Sequence, residues 1–222
     1  MAKARRPAVV AARVTEVRLP QLEEFGGGAL EPDGDYDGVR FAGLDLGGQQ
    51  GSGARFIDCA LTDCALDGTQ LTQARFVDCV LEGVRGVGAD LAGASLRDVE
   101  VREARLGGAQ LHGASLTGVV LRGGKIDYLN LREARLTDVV FHGCVLSEAD
   151  FGGARLERVE FRDCVLRRVD LTAVRMKDVD LRGAAELDIA RGVERLAGAV
   201  ISPGQLLELA PAFAAQIGVR VE

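Results

Sequence analysis

Large apolar residues recur at every fifth position of this chain, in a frame with no insertion or deletion, from Phe41 to Leu181. Of the 29 positions in that frame, 27 are Leu, Phe, Ile, Val or Met, and only Gly51 and Gly86 depart. Two residues before each stands Ala, Val or Cys in 24 of the 29 cases; the exceptions are Leu44, Gln49, Thr69, Gly124 and Leu129. The other three positions of each five are mostly Asp, Glu, Arg, Thr, Gln, Ser or Gly. A period of five matches neither the 3.6 of an amphipathic helix nor the 2.0 of a long strand. It predicts a short extended segment followed by a turn, repeated, with two inward side chains per segment.

This small-x-large-x-x pattern, as in ADLAG at 89–93, ARLTD at 134–138 and ADFGG at 149–153, resembles the A(D/N)LXX motif of the pentapeptide-repeat family, and in its unbroken frame the bacterial MfpA-like members. The resemblance covers about 145 residues. It implies an all-β solenoid, a right-handed quadrilateral β-helix with four pentapeptides to a coil. The residues support that grouping independently. Positions 39, 59, 79, 99, 119, 139, 159 and 179 read Val, Cys, Cys, then Val five times, whereas 54, 74, 94, 114, 134, 154 and 174 read Ala six times, then Val. A period of five alone would not separate those columns; stacking at twenty does. Twenty-nine pentapeptides then make about seven coils, roughly 35 Å long at the ~4.8 Å spacing of paired strands. Three segments follow: an N-terminal extension and first-coil cap at 1–38, the β-helix at 39–183, and a C-terminal cap at 184–222.

Composition agrees with a narrow tube. Aromatic residues are only 5% and Trp is absent, which suits a core of small and medium aliphatics. All five cysteines, Cys59, Cys64, Cys79, Cys144 and Cys164, fall in the small inward position, so they read as small hydrophobes rather than as metal ligands or disulfides. No metal or cofactor is expected. The net charge of −6 argues against direct nucleic-acid binding. No apolar run approaches the ~18 residues of a membrane span, and Arg13 interrupts MAKARRPAVVAARV too early for a secretory signal, so a cytoplasmic location is expected. His112 and His142 both point outward and a filled tube offers no pocket, so no catalysis is expected.

Function in a solenoid lies on its outer columns. One reads Gln50, Gln70, Asp90, Gln110, Asn130, Asp150, Asp170, and its stretch from Asp90 to Asp170 is the candidate partner-facing strip. Arginine columns run through Arg102, Arg122, Arg162 and Arg182, and through Arg55, Arg75, Arg135, Arg155 and Arg175. A further column holds Asp58, Asp78, Asp98, Asp138 and Asp178. Resemblance to pentapeptide-repeat proteins that bind DNA gyrase as mimics of duplex DNA implies a protein partner of that kind, DNA gyrase or another type II topoisomerase. The charge supports this only in part: residues 39–183 carry 21 acidic and 19 basic groups. A general protein-binding scaffold is the alternative.

The ends lie outside the frame. RVTEVRLPQLEEF reads as a strand or short helix over the first coil, and the basic tip Lys3, Arg5, Arg6 as a frayed terminus. At the other end Ser202 reads as a helix N-cap, Pro203 as the first helical residue, Pro211 as a kink or division and Gly218 as the stop, with GVRV adding a short strand. Leu206, Leu207, Leu209, Phe213 and Ile217 make this helix apolar on more than one side, which suits a cap that also carries a homodimer contact.

Overall fold

The computed structural model describes residues 9–220. Strands, most of them three residues long, pair in parallel with the strand twenty residues on: Phe56 lies beside Phe76, Leu96 beside Leu116, and Leu136 beside Leu156. Four stacks of this kind enclose the tube. The first face carries residues 55–57 and their equivalents every twenty positions, the second 60–62, the third 65–67 and the fourth 70–72. The middle residue of each triplet points inward, as do the small residues between strands.

Each corner is made by one residue in the left-handed region, as at Asp58 (φ 51°), Asp63 (54°), Gly68 (59°) and Gln73 (59°). That conformation costs an ordinary side chain ~1–2 kcal/mol, costs Gly little, and is entered by Asp more readily than by most residues. Of the sixteen non-glycine residues there among the described residues, eight are Asp. The Asp58, Asp78, Asp98, Asp138, Asp178 column is therefore a column of corners, set first by the backbone.

The interior is a filled apolar ladder. Phe56 and Phe76 stack at 4.6 Å with planes 3° apart, and Phe141 and Phe161 at 4.9 Å with planes 2° apart. Departures from the repeat have local causes. Gly51 leaves the space that Leu30 fills from the N-terminal cap. Gln49 accepts the Leu30 N–H through Oε1 at 2.8 Å. Thr69 is wholly buried and donates Oγ1–H to the Leu46 carbonyl at 2.8 Å. At Gly86 a Cβ would stand 2.7 Å from the Leu66 carbonyl carbon, so no side chain fits.

The solenoid makes about nine turns rather than about seven. Coiling continues beyond the unbroken frame at both ends, where the pentapeptide rule lapses. Glu23–Glu24 already pair with Val39–Arg40, and Phe25 and Tyr36 close that end by stacking on Phe41 and Phe56 at 4.6 and 5.0 Å. At the other end one residue is inserted, so that Leu166 lies opposite Leu187, twenty-one positions on, before Val179 meets Ala199 in the original register.

The C-terminal helix, α1, spans Pro203–Gln216 behind a capping box formed by Ser202 and Gln205. It is one helix that passes through Pro211 without dividing. The strand expected of GVRV does not form over Gly218–Arg220, and Val221 lies outside the described residues, as does the basic tip. Among the described residues no helix is long and apolar enough to cross a membrane.

Candidate protein-interaction faces

On the fourth face the strip is continuous. Gln50, Gln70, Asp90, Gln110, Asn130, Asp150 and Asp170 are bridged each to the next, coil by coil. Their side chains are nonetheless engaged locally. Asp90, Asp150 and Asp170 each accept the N–H two residues on, from Ala92, Gly152 and Thr172, at 3.0, 2.7 and 2.8 Å. Gln70 and Gln110 instead donate Nε2–H to the carbonyls of Gly68 and Gly108 at 3.0 and 2.7 Å. This turn chemistry is why Asp, Asn and Gln recur here. Arginines share the strip: Arg132 lies 3.0 Å from Asp150 and Arg191 lies 3.4 Å from Asp170. Burial works to raise the Asp170 carboxyl, but the Thr172 hydrogen bonds, with Arg191 and Arg132, hold it below the usual carboxylate range.

The first face is basic. Arg135, Arg155 and Arg175 stack directly on one another, and among the described residues no carboxylate pairs with them. Beside them Arg158 grips Asp138 with both ends of its guanidinium, at 2.7 and 2.9 Å.

The second face holds what the sequence reading missed. Its outward column, Ala60, Val80, Glu100, Val120, Val140 and Glu160, is buried, none of these residues being more than 8% exposed. The cover is the N-terminal segment, which is neither strand nor helix over residues 9–22, becomes strand only at Glu23–Glu24, and is not confined to the first coil. It runs the length of the tube as an extended strap. Val10, Ala12 and Arg13 donate main-chain N–H groups to Asp178, Glu160 and Asp138 at 3.3, 2.7 and 2.9 Å. Val17, Leu19 and Leu22 then line a groove with Ala60 and Val80. Glu100, beneath the strap, is held by Arg102 at 2.7 Å and Arg122 at 2.6 Å, and these guanidinium groups, Arg102 foremost, keep its carboxyl below the usual range. The available signal was an apolar column at twenty-residue spacing in an outward position.

At the C-terminal end α1 turns Leu209 inward, half-buries Phe213, and leaves Leu206, Leu207 and Ile217 exposed at 51, 76 and 78%. Gln205, also missed, is the anchor: its buried Nε2 donates to the carbonyls of Leu181 and Ala184 at 2.8 and 3.0 Å.

Two family models match this architecture. One, described as a pentapeptide repeat region, covers residues 54–131, and the other, pentapeptide repeats in eight copies, covers 125–163 and 149–184. The chain belongs to the pentapeptide-repeat family. Among solved structures it is similar to HetL, a pentapeptide repeat protein involved in heterocyst differentiation regulation from the cyanobacterium Nostoc sp. strain PCC 7120, with 23% identity over 80% of this chain and 93% of that one and a TM-score of 0.42. It is also similar to full-length QnrB1, a plasmid-mediated fluoroquinolone resistance protein, with 21% identity over 85% of this chain and 92% of that one and a TM-score of 0.44. No curated protein matches it in sequence.

In this pentapeptide-repeat tube the five thiols are buried and unpaired. Each Sγ lies near a corner carbonyl, as Cys79 does to Val77 at 3.2 Å. The adjacent Cys59 thiol and burial push Cys79 up, the adjacent Cys164 and burial push Cys144 up, and burial pushes Cys64 up. His112 is exposed on the fourth face, and His142 on the second lies 3.4 Å from Asp163.

Proposed function

We propose that this protein is a non-catalytic binding rod in the cytoplasm, and that its partner is a type II topoisomerase such as DNA gyrase, engaged as a partial mimic of duplex DNA. The observation that carries this reading is the fourth-face strip: one polar side chain per coil from Gln50 to Asp170, ending in carboxylates, on a rigid rod. Duplex DNA presents one charge per ~1.7 Å, so three carboxylates over five coils are a sparse imitation, and Arg132 and Arg191 temper two of them. The contact is accordingly local. The exposed Leu206 and Leu207 of α1, with Ile217 just after it, support a two-fold dimer that sets two rods end to end. Family membership supports the choice of partner class; a fold by itself is a weak warrant for function.

The test is a supercoiling assay with purified DNA gyrase, with and without a fluoroquinolone. Inhibition of supercoiling, or rescue from drug-stabilised cleavage, is expected, and Asp150→Arg with Asp170→Arg should abolish it. No effect up to tens of micromolar folded protein sinks the topoisomerase reading. One observation favours a second reading, a general scaffold: the unpaired Arg135, Arg155, Arg175 ladder suits a partner with an acidic surface.

A further inference from the structure

We propose that the second face is a peptide-binding groove, that residues 9–22 are its resident occupant, and that a partner enters by displacing them with an extended segment of the same chemistry. This inference is independent of which partner the fourth face takes.

The floor of the groove is apolar where an outer surface is normally polar. Ala60, Val80, Val120 and Val140 line one column, with Val140 only 2% exposed. The equivalent positions on the first face are arginines and serines; the third carries Arg85, Arg105 and Lys125 between Ala65 and the pair Val145 and Val165, which are only half-buried. The occupant meets this floor with Val9, Ala12, Val14, Val17, Leu19 and Leu22, all half-buried, at every second or third residue.

Recognition runs through the main chain. The carboxylates of Asp178, Glu160 and Asp138 line one edge and accept the N–H groups of Val10, Ala12 and Arg13. Every residue except proline offers that donor, so the edge reads an extended backbone and not a particular sequence. The floor adds the selection: its Ala and Val side chains meet aliphatic ones in the occupant. A segment with no proline at the three donor positions and aliphatics at the positions of Val9, Ala12, Val14 and Val17 meets both conditions.

The resident segment is loosely tied. Among the described residues no hydrogen bond from main chain to main chain joins residues 9–22 to the coils, only the three N–H bonds to carboxylates; sheet pairing begins only at Glu23. The segment lies across the strands, so it adds to no sheet edge, and its release leaves every coil-to-coil hydrogen bond in place. Three hydrogen bonds and half-buried aliphatic side chains seat it, and its tether holds the occupant at an effective concentration of order millimolar. A partner must overcome that advantage, which makes the strap a built-in competitor.

The experiment uses the full chain and a fluorescent synthetic peptide of residues 9–22. A strap-loosened variant, Val14→Asp with Val17→Asp, is expected to bind the peptide at least tenfold more tightly than the wild-type chain. Adding Val140→Lys to the groove floor should remove that binding. A loosened chain that keeps its circular dichroism but ignores millimolar peptide overturns the proposal, and so does equal binding by loosened and wild-type chains. Should the loosened chain not fold, hydrogen exchange on the wild type decides. Ala12 and Val14 amides exchanging far faster than the coil amide of Leu136 support a displaceable strap, whereas equal rates mean that the strap leaves only on global unfolding and overturn the proposal.

Discussion

The main-chain N–H of Ala12 donates to Oε1 of Glu160 over 2.7 Å, joining the start of the chain to a coil 148 residues later. The other carboxylate oxygen, Oε2, is held by Arg162 at 2.6 Å. Glu160 is therefore a staple between strap and coil. Paired on both oxygens, the charge can sit in a column that is otherwise mostly apolar, where an unpaired carboxylate would be costly.

The strap turns an outward position into a core position, and one pair of substitutions separates the two. Val140→Asp buries a carboxylate beneath the strap and should cost about 2–4 kcal/mol. Thr117→Asp, also outward but on the open first face, should stay within about 0.5 kcal/mol of wild type. Urea unfolding of both variants is the measurement, and equal effects would mean that the strap does not cover the face in solution.

Acid should loosen the same region. Glu100 is held below the ordinary glutamate value by Arg102 and Arg122, and Asp138 below the ordinary aspartate value by Arg158 and then by the Arg13 N–H. A carboxyl lowered in the folded state contributes stability that is complete above its unfolded value, near pH 4, fades as the pH falls below that, and is gone under its folded value. Stability should thus decline between about pH 5 and pH 2. The Glu100→Gln, Asp138→Asn double variant should be less stable at pH 7 but lose less between pH 7 and pH 3, as denaturant midpoints at the two pH values would show. An unchanged pH slope would remove these two groups as its source.

Corners held by ordinary side chains are points of strain. Ala173 has φ 57° and is exposed, with no side chain to lose beyond a methyl group. Ala173→Gly should relieve about 1 kcal/mol, raising Tm by roughly 2–4 °C in a chain of this size. Calorimetry checks it, and a fall in Tm would contradict the reading of these corners as strained.

The inward residues were legible in the sequence because the tube fixes both their size and their spacing. Phe56 above Phe76 and Val139 above Val159 follow from counting alone. The strap was not legible, because residues 9–22 have no period of their own and take their shape from the face they cross. Its trace lay in the coils, where Val80, Val120 and Val140 stand twenty apart at outward positions. The Asp58, Asp78, Asp98 column and the Asp90, Asp150, Asp170 strip read from sequence as surface charge. The structure shows that left-handed corners and turn hydrogen bonds already call for Asp at those places, whatever partner they meet. Gln49 and Gly51 looked like errors in the repeat because Leu30, which explains both, lies outside it.

The C-terminal helix separates capping from association in neighbouring side chains. Gln205 is 6% exposed and bonds two carbonyls of the last full coil, Leu181 and Ala184, so Gln205→Ala leaves buried acceptors unpaired and breaks the capping box with Ser202. The expected loss is about 1–3 kcal/mol. Leu207 is 76% exposed, so Leu207→Glu removes no packing within the chain and should leave the unfolding midpoint of the monomer unchanged. It places a charge on the apolar side of α1, where a second copy would bury it. Sedimentation equilibrium should then show a dimer for wild type and Gln205→Ala and a monomer for Leu207→Glu. A dimer that survives Leu207→Glu, together with Leu206→Glu and Ile217→Glu, would place the self-association elsewhere on the tube; a wild-type monomer at all concentrations would leave α1 as a cap alone.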